Sequence, residues 1–484
     1  NFYTATIYNK GAELIGMFHT VLGPEKFRAG TDLYFDRHDG EAATCDDFVK
    51  ALEDASGVDL SAFKIWYSQA GTPKVTARLD HDAATRTATL HLEQSEAPTP
   101  GQPTKQPMPI PLKTALIDEH GAEVAPERLI LLDRASQTVT FDNVATAPLL
   151  SINRGFSAPV IVDVARGPHD LELLAQHDSD SFSRYEAMQE LMLGGLVAAA
   201  RGETVDHAPL IRAIGNTLKS NALDAAFKAE VILPPSDSII GDRMERVDPD
   251  AIHAAREHLR ATIGAELRND LLRARSAADA PGGDLSPDAK GTRRLKSIAL
   301  GLLAAGDPRE GAELAKAQFD AADNMTDRQG ALVVLTSLDA PQREAALNAF
   351  YDRFKDDPLV VDKWFALQAS AQRPQTIDEV ERLAAHPAFT LANPNRLRSL
   401  VGTFAGNQWA FHHASGRGYR FVADMILAAD KLNPSIAARL VPPLGRWQRF
   451  EERRAALMRA ELERIVAAPG LSKDVYEQAS KSLS

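Results

Sequence analysis

Apolar residues over the first seventy positions recur with the period of an α-helix. Leu14, Met17, Phe18, Val21 and Leu22 fall at i, i+3, i+4, i+7 and i+8 and form one stripe. Gly23-Pro24 predicts a break that opens a second helix, on which Phe27, Gly30, Thr31, Tyr34 and Phe35 share a face. Thr44, with Asp47 three residues on in place of the usual Glu, is a capping signal ahead of Phe48, Val49 and Leu52. Asp59-Leu60-Ser61 starts a short helix carrying Phe63, Trp66 and Tyr67. After Gly71-Thr72-Pro73 the period falls to two. Val75, Ala77 and Leu79 alternate with polar neighbours, as do Ala88, Leu90 and Leu92 beyond a turn at 80–84. Pro98, Pro100, Pro103, Pro107, Pro109 and Pro111 forbid helix and predict an exposed loop or edge segment. Segments 112–117, 128–132, 138–141 and 149–153 are further strand candidates.

These patterns predict a multidomain, mainly α chain in three parts. Residues 1–72 are helical and read as the second half of a larger domain, residues 73–167 as a small β-sandwich, and residues 168–484 as an α-helical solenoid. In the last part, turns such as Leu233-Pro234-Pro235, Gly306-Asp307-Pro308 and Asp357-Pro358 separate helical segments, and a polar, mobile loop is expected at 276–290 around Pro281. A length of 484 residues suits about three domains. The formal charge of −12 makes a general nucleic-acid binder a poor reading, because phosphate contacts need concentrated Lys and Arg. No apolar run is long enough to span a membrane. A single cysteine, Cys45, excludes an internal disulfide framework and suits a reducing, cytoplasmic setting.

Familiar chemical signatures are missing. The chain has no phosphate loop, no dinucleotide-binding glycine fingerprint and no nucleophile elbow. The 13 histidines include no H-E-x-x-H. His253 and His258 are five apart, which turns their rings about 140° away from each other on a helix, so a solvated face is the better reading. His412 and His413 point to different sides of any regular element. Cys45 sits where a capped helix begins, and a half-buried structural thiol is expected there.

What remains is Ile7-Tyr8-Asn9-Lys10-Gly11-Ala12-Glu13-Leu14. The order Tyr-x-Lys-Gly resembles the tyrosine motif of the gluzincin zinc aminopeptidases, which carry an H-E-x-x-H zinc site and a G-A-M-E-N motif. Residues 1–73 are similar to the C-terminal part of that family's thermolysin-like catalytic domain through His38-Asp39-Gly40, Ala43-Thr44-Cys45-Asp46-Asp47-Phe48 and Trp66-Tyr67-Ser68-Gln69-Ala70-Gly71-Thr72-Pro73. Later segments resemble the bacterial aminopeptidase N branch: His177-Asp178-Ser179-Asp180-Ser181-Phe182-Ser183-Arg184, Asn324-Met325-Thr326-Asp327, Val361-Asp362-Lys363-Trp364 and Asn393-Pro394-Asn395-Arg396-Leu397-Arg398. The resemblance thus runs over essentially the whole chain.

It implies removal of N-terminal amino acids from peptides. In such an enzyme zinc activates water and a glutamate acts as general base. The resemblance makes Tyr8 the donor of a hydrogen bond to the tetrahedral oxyanion, a task a neutral phenol can perform at neutral pH. Asn9 departs from the Glu that commonly follows this tyrosine. Arg398 and Arg439, the latter in Asn433-Pro434-Ser435-Ile436-Ala437-Ala438-Arg439, match positions that approach the bound peptide, with an ion pair as the competing reading. The zinc ligands and general base are expected upstream of Asn1, in a missing N-terminal catalytic half, so no zinc is expected on this chain and the chain alone is expected to be inactive. The competing function is a non-catalytic helical scaffold or peptide-binding module derived from the enzyme. Truncation further predicts an exposed apolar patch near Phe2, Phe18 and Phe63, or its burial by another chain.

Overall fold

A computed structural model describes residues 6–277 and 283–483. The chain divides into two compact units, Asn1–Leu191 and Met192–Ser484.

Among the described residues of the first unit, a π-helical turn, Thr6–Lys10, comes first and runs straight into a helix, Gly11–His38. At Gly23-Pro24 the helical geometry breaks as predicted, and a second helical stretch opens at the proline. Gly23 takes φ 76°, and Pro24, which needs no N–H partner at that point, resumes the helix. Leu14, Met17, Phe18 and Leu22 are buried as the stripe predicts, whereas Phe35 stands in solvent instead of joining its predicted face. The cap of Cys45–Ser56 forms as read. Thr44 accepts from the Asp47 N–H, and the Asp47 carboxylate accepts from Thr44 N at 2.8 Å. A 3-10 turn, Ser61–Lys64, and a helical turn, Ile65–Ser68, then bury Phe63 and Trp66.

Seven strands follow: β1 (Lys74–Asp82), β2 (Thr87–Ser95), β3 (Ile110–Ile117), β4 (Glu123–Leu132), β5 (Ser136–Phe141), β6 (Leu149–Ile152) and β7 (Ile161–Val164). They form two sheets, ordered β5-β2-β1-β7 and β4-β3-β6. β1 and β2 make a hairpin with Leu79 opposite Leu90, its turn lying later than the predicted 80–84. Pro111 sits inside β3, in the stretch that pairs with β4 alone, because β6 joins only from Thr114 onward. Its missing N–H therefore faces no strand. β7 carries no strong alternating signal and escapes a sequence reading; it is held by parallel pairing to β1.

One contiguous apolar core joins the helices to the sandwich, running from Leu14, Phe18, Phe63 and Trp66 to Leu90, Leu112, Leu116 and Ile130. This overturns the predicted exposed patch. Phe18 and Phe63 are buried and meet edge to face at 5.7 Å between ring centroids, and Phe2 lies outside the described residues. The helices are too few to close a core alone, and the sandwich completes it. The Trp66 indole donates to the Pro109 carbonyl at 3.0 Å across the same junction.

The second unit is helical. Many of its helices start at an Asx-Pro or Ser-Pro pair: Asp248-Pro249, Ser286-Pro287, Asp307-Pro308, Asp357-Pro358, Asn393-Pro394 and Asn433-Pro434. The short side chain caps the first amides while proline supplies a helical φ at no hydrogen-bonding cost. Pro249–Glu266 and Pro287–Gly306 approach so closely that a Cβ on Gly264 would lie 2.1 Å from the Leu302 carbonyl oxygen. The unit also returns on itself. Val247 bridges to Phe450, and Arg454, buried, reaches the Asp250 carboxylate at 2.5 Å. The predicted mobile loop at 276–290 falls partly on residues 278–282, outside the described residues.

Candidate active-site elements

Tyr8 lies in the π turn and is 58% exposed. Two residues on, the half-buried Lys10 is firmly held. Its ammonium donates to the Gln69 carbonyl at 2.6 Å and sits 5.9 Å from the centre of the Trp66 ring. Burial lowers the Lys10 pKa, Glu96 opposes that shift and Lys105 reinforces it. Gln69 is itself buried and fixed: its amide nitrogen donates to Glu96 at 2.7 Å and to the Gln106 carbonyl at 2.9 Å, and its amide oxygen accepts from Gln106 N at 2.9 Å. Gly71, at φ +108°, passes so close to Glu96 that a Cβ there would lie 2.2 Å from Oε1. A phenol on an exposed turn, next to a rigid polar cluster, can donate a hydrogen bond to an incoming oxygen. Sequence reasoning singled out Tyr8 and missed Lys10. The available signal was the lysine's place inside Tyr-x-Lys-Gly.

In the second unit the structure brings Arg398 and Arg439 together. The helix Pro394–Leu397, capped by Asn393, passes into a π turn, Arg398–Gly402. Arg396 turns inward, donating to Asp362 at 2.5 Å over the Phe365 ring, while Arg398 turns out. Arg439 ends the helix Pro434–Ala438, capped by Asn433. Both arginines line one groove of about 390 Å³ with Leu397, Gly402, Thr403 and Ile436. Among the described residues neither is in an ion pair. Two such cations are notable in a chain of net charge −12.

The remaining histidine and cysteine candidates differ in their surroundings. His412 is buried, bonded through Nδ1 to the Tyr419 hydroxyl at 3.0 Å and stacked on Phe450, and its pKa is lowered to about 3 by burial, then by Arg454 and Arg446. His413 is exposed beside Ser415. Of the pair expected on a solvated face, His258 is exposed, whereas His253 stacks on Trp409 at 3.7 Å and burial lowers its pKa. Cys45 is exposed, not half-buried. Among the described residues no group of three His, Cys, Asp or Glu can hold a metal ion, so the residues present do not fit a zinc site.

The family models agree with this architecture. Residues 168–484 match a domain of unknown function with ARM repeats (DUF3458_C), residues 71–165 a domain of unknown function with an Ig-like fold (DUF3458), and residues 1–67 the peptidase family M1 domain. The aminopeptidase N of Caulobacter vibrioides is 45% identical over all of this chain and 56% of its own length, and that of Escherichia coli 39% identical over all of this chain and 57% of its own. This chain belongs to the family of the ARM-repeat domain DUF3458_C and is homologous over its whole length to bacterial aminopeptidase N. A crystal structure of Legionella pneumophila aminopeptidase A in complex with aspartic acid superposes with a TM-score of 0.89 at 30% identity, covering 99% of this chain and 57% of that one. The chain therefore spans a little over half the length of its aminopeptidase N relatives, and it matches them from the π turn through the solenoid.

Proposed function

We propose that this chain works as the C-terminal portion of a zinc-dependent aminopeptidase that removes N-terminal residues from peptides, with Tyr8 donating a hydrogen bond to the tetrahedral oxyanion. The observation that carries this reading is the exposed phenol of Tyr8 within Tyr-x-Lys-Gly, in a chain homologous along its full length to aminopeptidase N. Charge builds on the carbonyl oxygen only as the intermediate forms, so a donor waiting there favours the transition state over the ground state. The described residues form no site for zinc. The zinc ligands and general base belong, in this reading, to the part of the enzyme that the relatives carry beyond the match. Arg398 and Arg439 would hold a carboxylate or carbonyl of the peptide in their shared groove. The working division is a catalytic-domain end at 1–72, a sandwich at 73–167 and a solenoid at 168–484. The lone cysteine supports a cytoplasmic location, and no helix among the described residues is long and apolar enough to cross a membrane.

The test is Tyr8→Phe in the complete aminopeptidase, which keeps the ring and removes the donor. A fall in kcat of about 10²–10³ on an aminoacyl p-nitroanilide, with little change in KM, is expected. Unchanged kcat would overturn the assignment.

A further inference from the structure

In the turn that carries Tyr8, Lys10 is firmly anchored. We propose that Lys10 is a positioning residue for Tyr8, clamping the π turn so that the phenol stands where the oxyanion forms. The inference rests on the reading of Tyr8 as donor.

A π turn closes its ring one residue later than an α-helix and is rare except as a single turn, so Thr6–Lys10 needs something outside itself to hold it. Lys10 is the last residue of that turn and the point where the regular helix Gly11–His38 begins. Its stem is flexible, and a lysine that merely bore charge would keep its head in water. Here the head is drawn in and held from two sides. A charge-assisted bond of 2.6 Å runs to the Gln69 carbonyl, and the Trp66 ring lies within cation–π range at 5.9 Å.

The anchor is also stiff. Gln69 spends its amide on Glu96 and on both backbone groups of Gln106, and Trp66 is pinned to Pro109. The neighbouring Ala70 is held as well, its N–H by Gln102 at 2.8 Å and its carbonyl by Lys105 at 2.7 Å. Lys10 thus ties the turn bearing Tyr8 to a loop that cannot drift. Small misplacements of a reacting group, on the order of 1 Å, cost about 10²-fold in rate, so such a clamp bears directly on turnover.

The experiment is a double-mutant cycle in the complete aminopeptidase. Lys10→Met, Lys10→Arg, Tyr8→Phe and the combined Tyr8→Phe/Lys10→Met enzyme are assayed on an aminoacyl p-nitroanilide, with thermal melts beside them. Lys10→Met keeps the stem against Trp66 and removes the donor. It is expected to lower kcat by about 10- to 100-fold with KM nearly unchanged. Lys10→Arg, which keeps charge and donor, is expected to recover most of that loss. In the Tyr8→Phe background Lys10→Met should cost nothing further. An equal loss in both backgrounds would make Lys10 a general structural residue and overturn the proposal, as would wild-type kcat in Lys10→Met. If Tyr8→Phe alone keeps full kcat, the donor reading fails and the clamp falls with it. Should Lys10→Met fail to fold, Lys10→Gln, with a shorter neutral donor, takes its place in the same cycle.

Discussion

His412 shows how far burial sets the chemistry of a side chain here. Its ring is locked between Phe450 and the Tyr419 hydroxyl, and its pKa falls to about 3 against an ordinary 6.5. An unfolded chain binds a proton at this histidine below 6.5, while the folded chain refuses it until about 3. The stability that neutral His412 contributes is therefore complete above pH 6.5 and is lost as the pH falls from 6.5 towards 3. Denaturant midpoints of wild type and His412→Gln, compared across that window, should converge as the pH drops. Parallel curves would show that the ring does not carry this linkage. Gly71 makes the opposite point at the same scale: it is needed for its φ of +108° and for the space beside Glu96, and the sequence marks it only as a glycine in a turn.

Among elements, the ones read correctly are those whose signals are local. The Thr44–Asp47 box, the alternation of Val75 and Ala77, and the Asp307-Pro308 and Asp357-Pro358 turns specify structure through neighbours a few residues away. β7 escaped because four residues, Ile161–Val164, acquire strand geometry only by pairing with β1, more than eighty positions earlier. Gly23-Pro24 breaks the helical geometry where the dipeptide predicts it, with Gly23 at φ 76°. Helix contact in the second unit depends on Gly264 and Gly306, each occupying the space where the other's Cβ would stand. Gly264→Ala removes a helix-interior glycine, a change that favours an isolated helix, yet here the new methyl meets backbone. The expected outcome is a loss of about 1–3 kcal/mol in urea unfolding, and a gain would show that the two helices can separate freely.

For the molecule as a whole, the general architecture and the homology to aminopeptidase N were legible in the sequence, through an ordered set of motifs from Tyr8 to Arg398. It failed on surfaces. Phe18 and Phe63 looked like a face awaiting another chain because the sandwich that covers them is invisible in their local pattern. The pairing of Arg398 with Arg439 in one groove was likewise not legible, as it arises from the folding together of two short capped helices. The 484-residue chain, purified and given zinc, is expected not to hydrolyse an aminoacyl anilide, and hydrolysis at an enzymatic rate would contradict this. The most direct test of the central claim is the affinity of the complete enzyme for a tetrahedral phosphinic peptide, measured with and without the Tyr8 hydroxyl. If that hydroxyl steadies the oxyanion, Tyr8→Phe should weaken the analogue by about 10²–10³ while leaving substrate KM nearly unchanged. Equal affinity of the two enzymes for the analogue would contradict it.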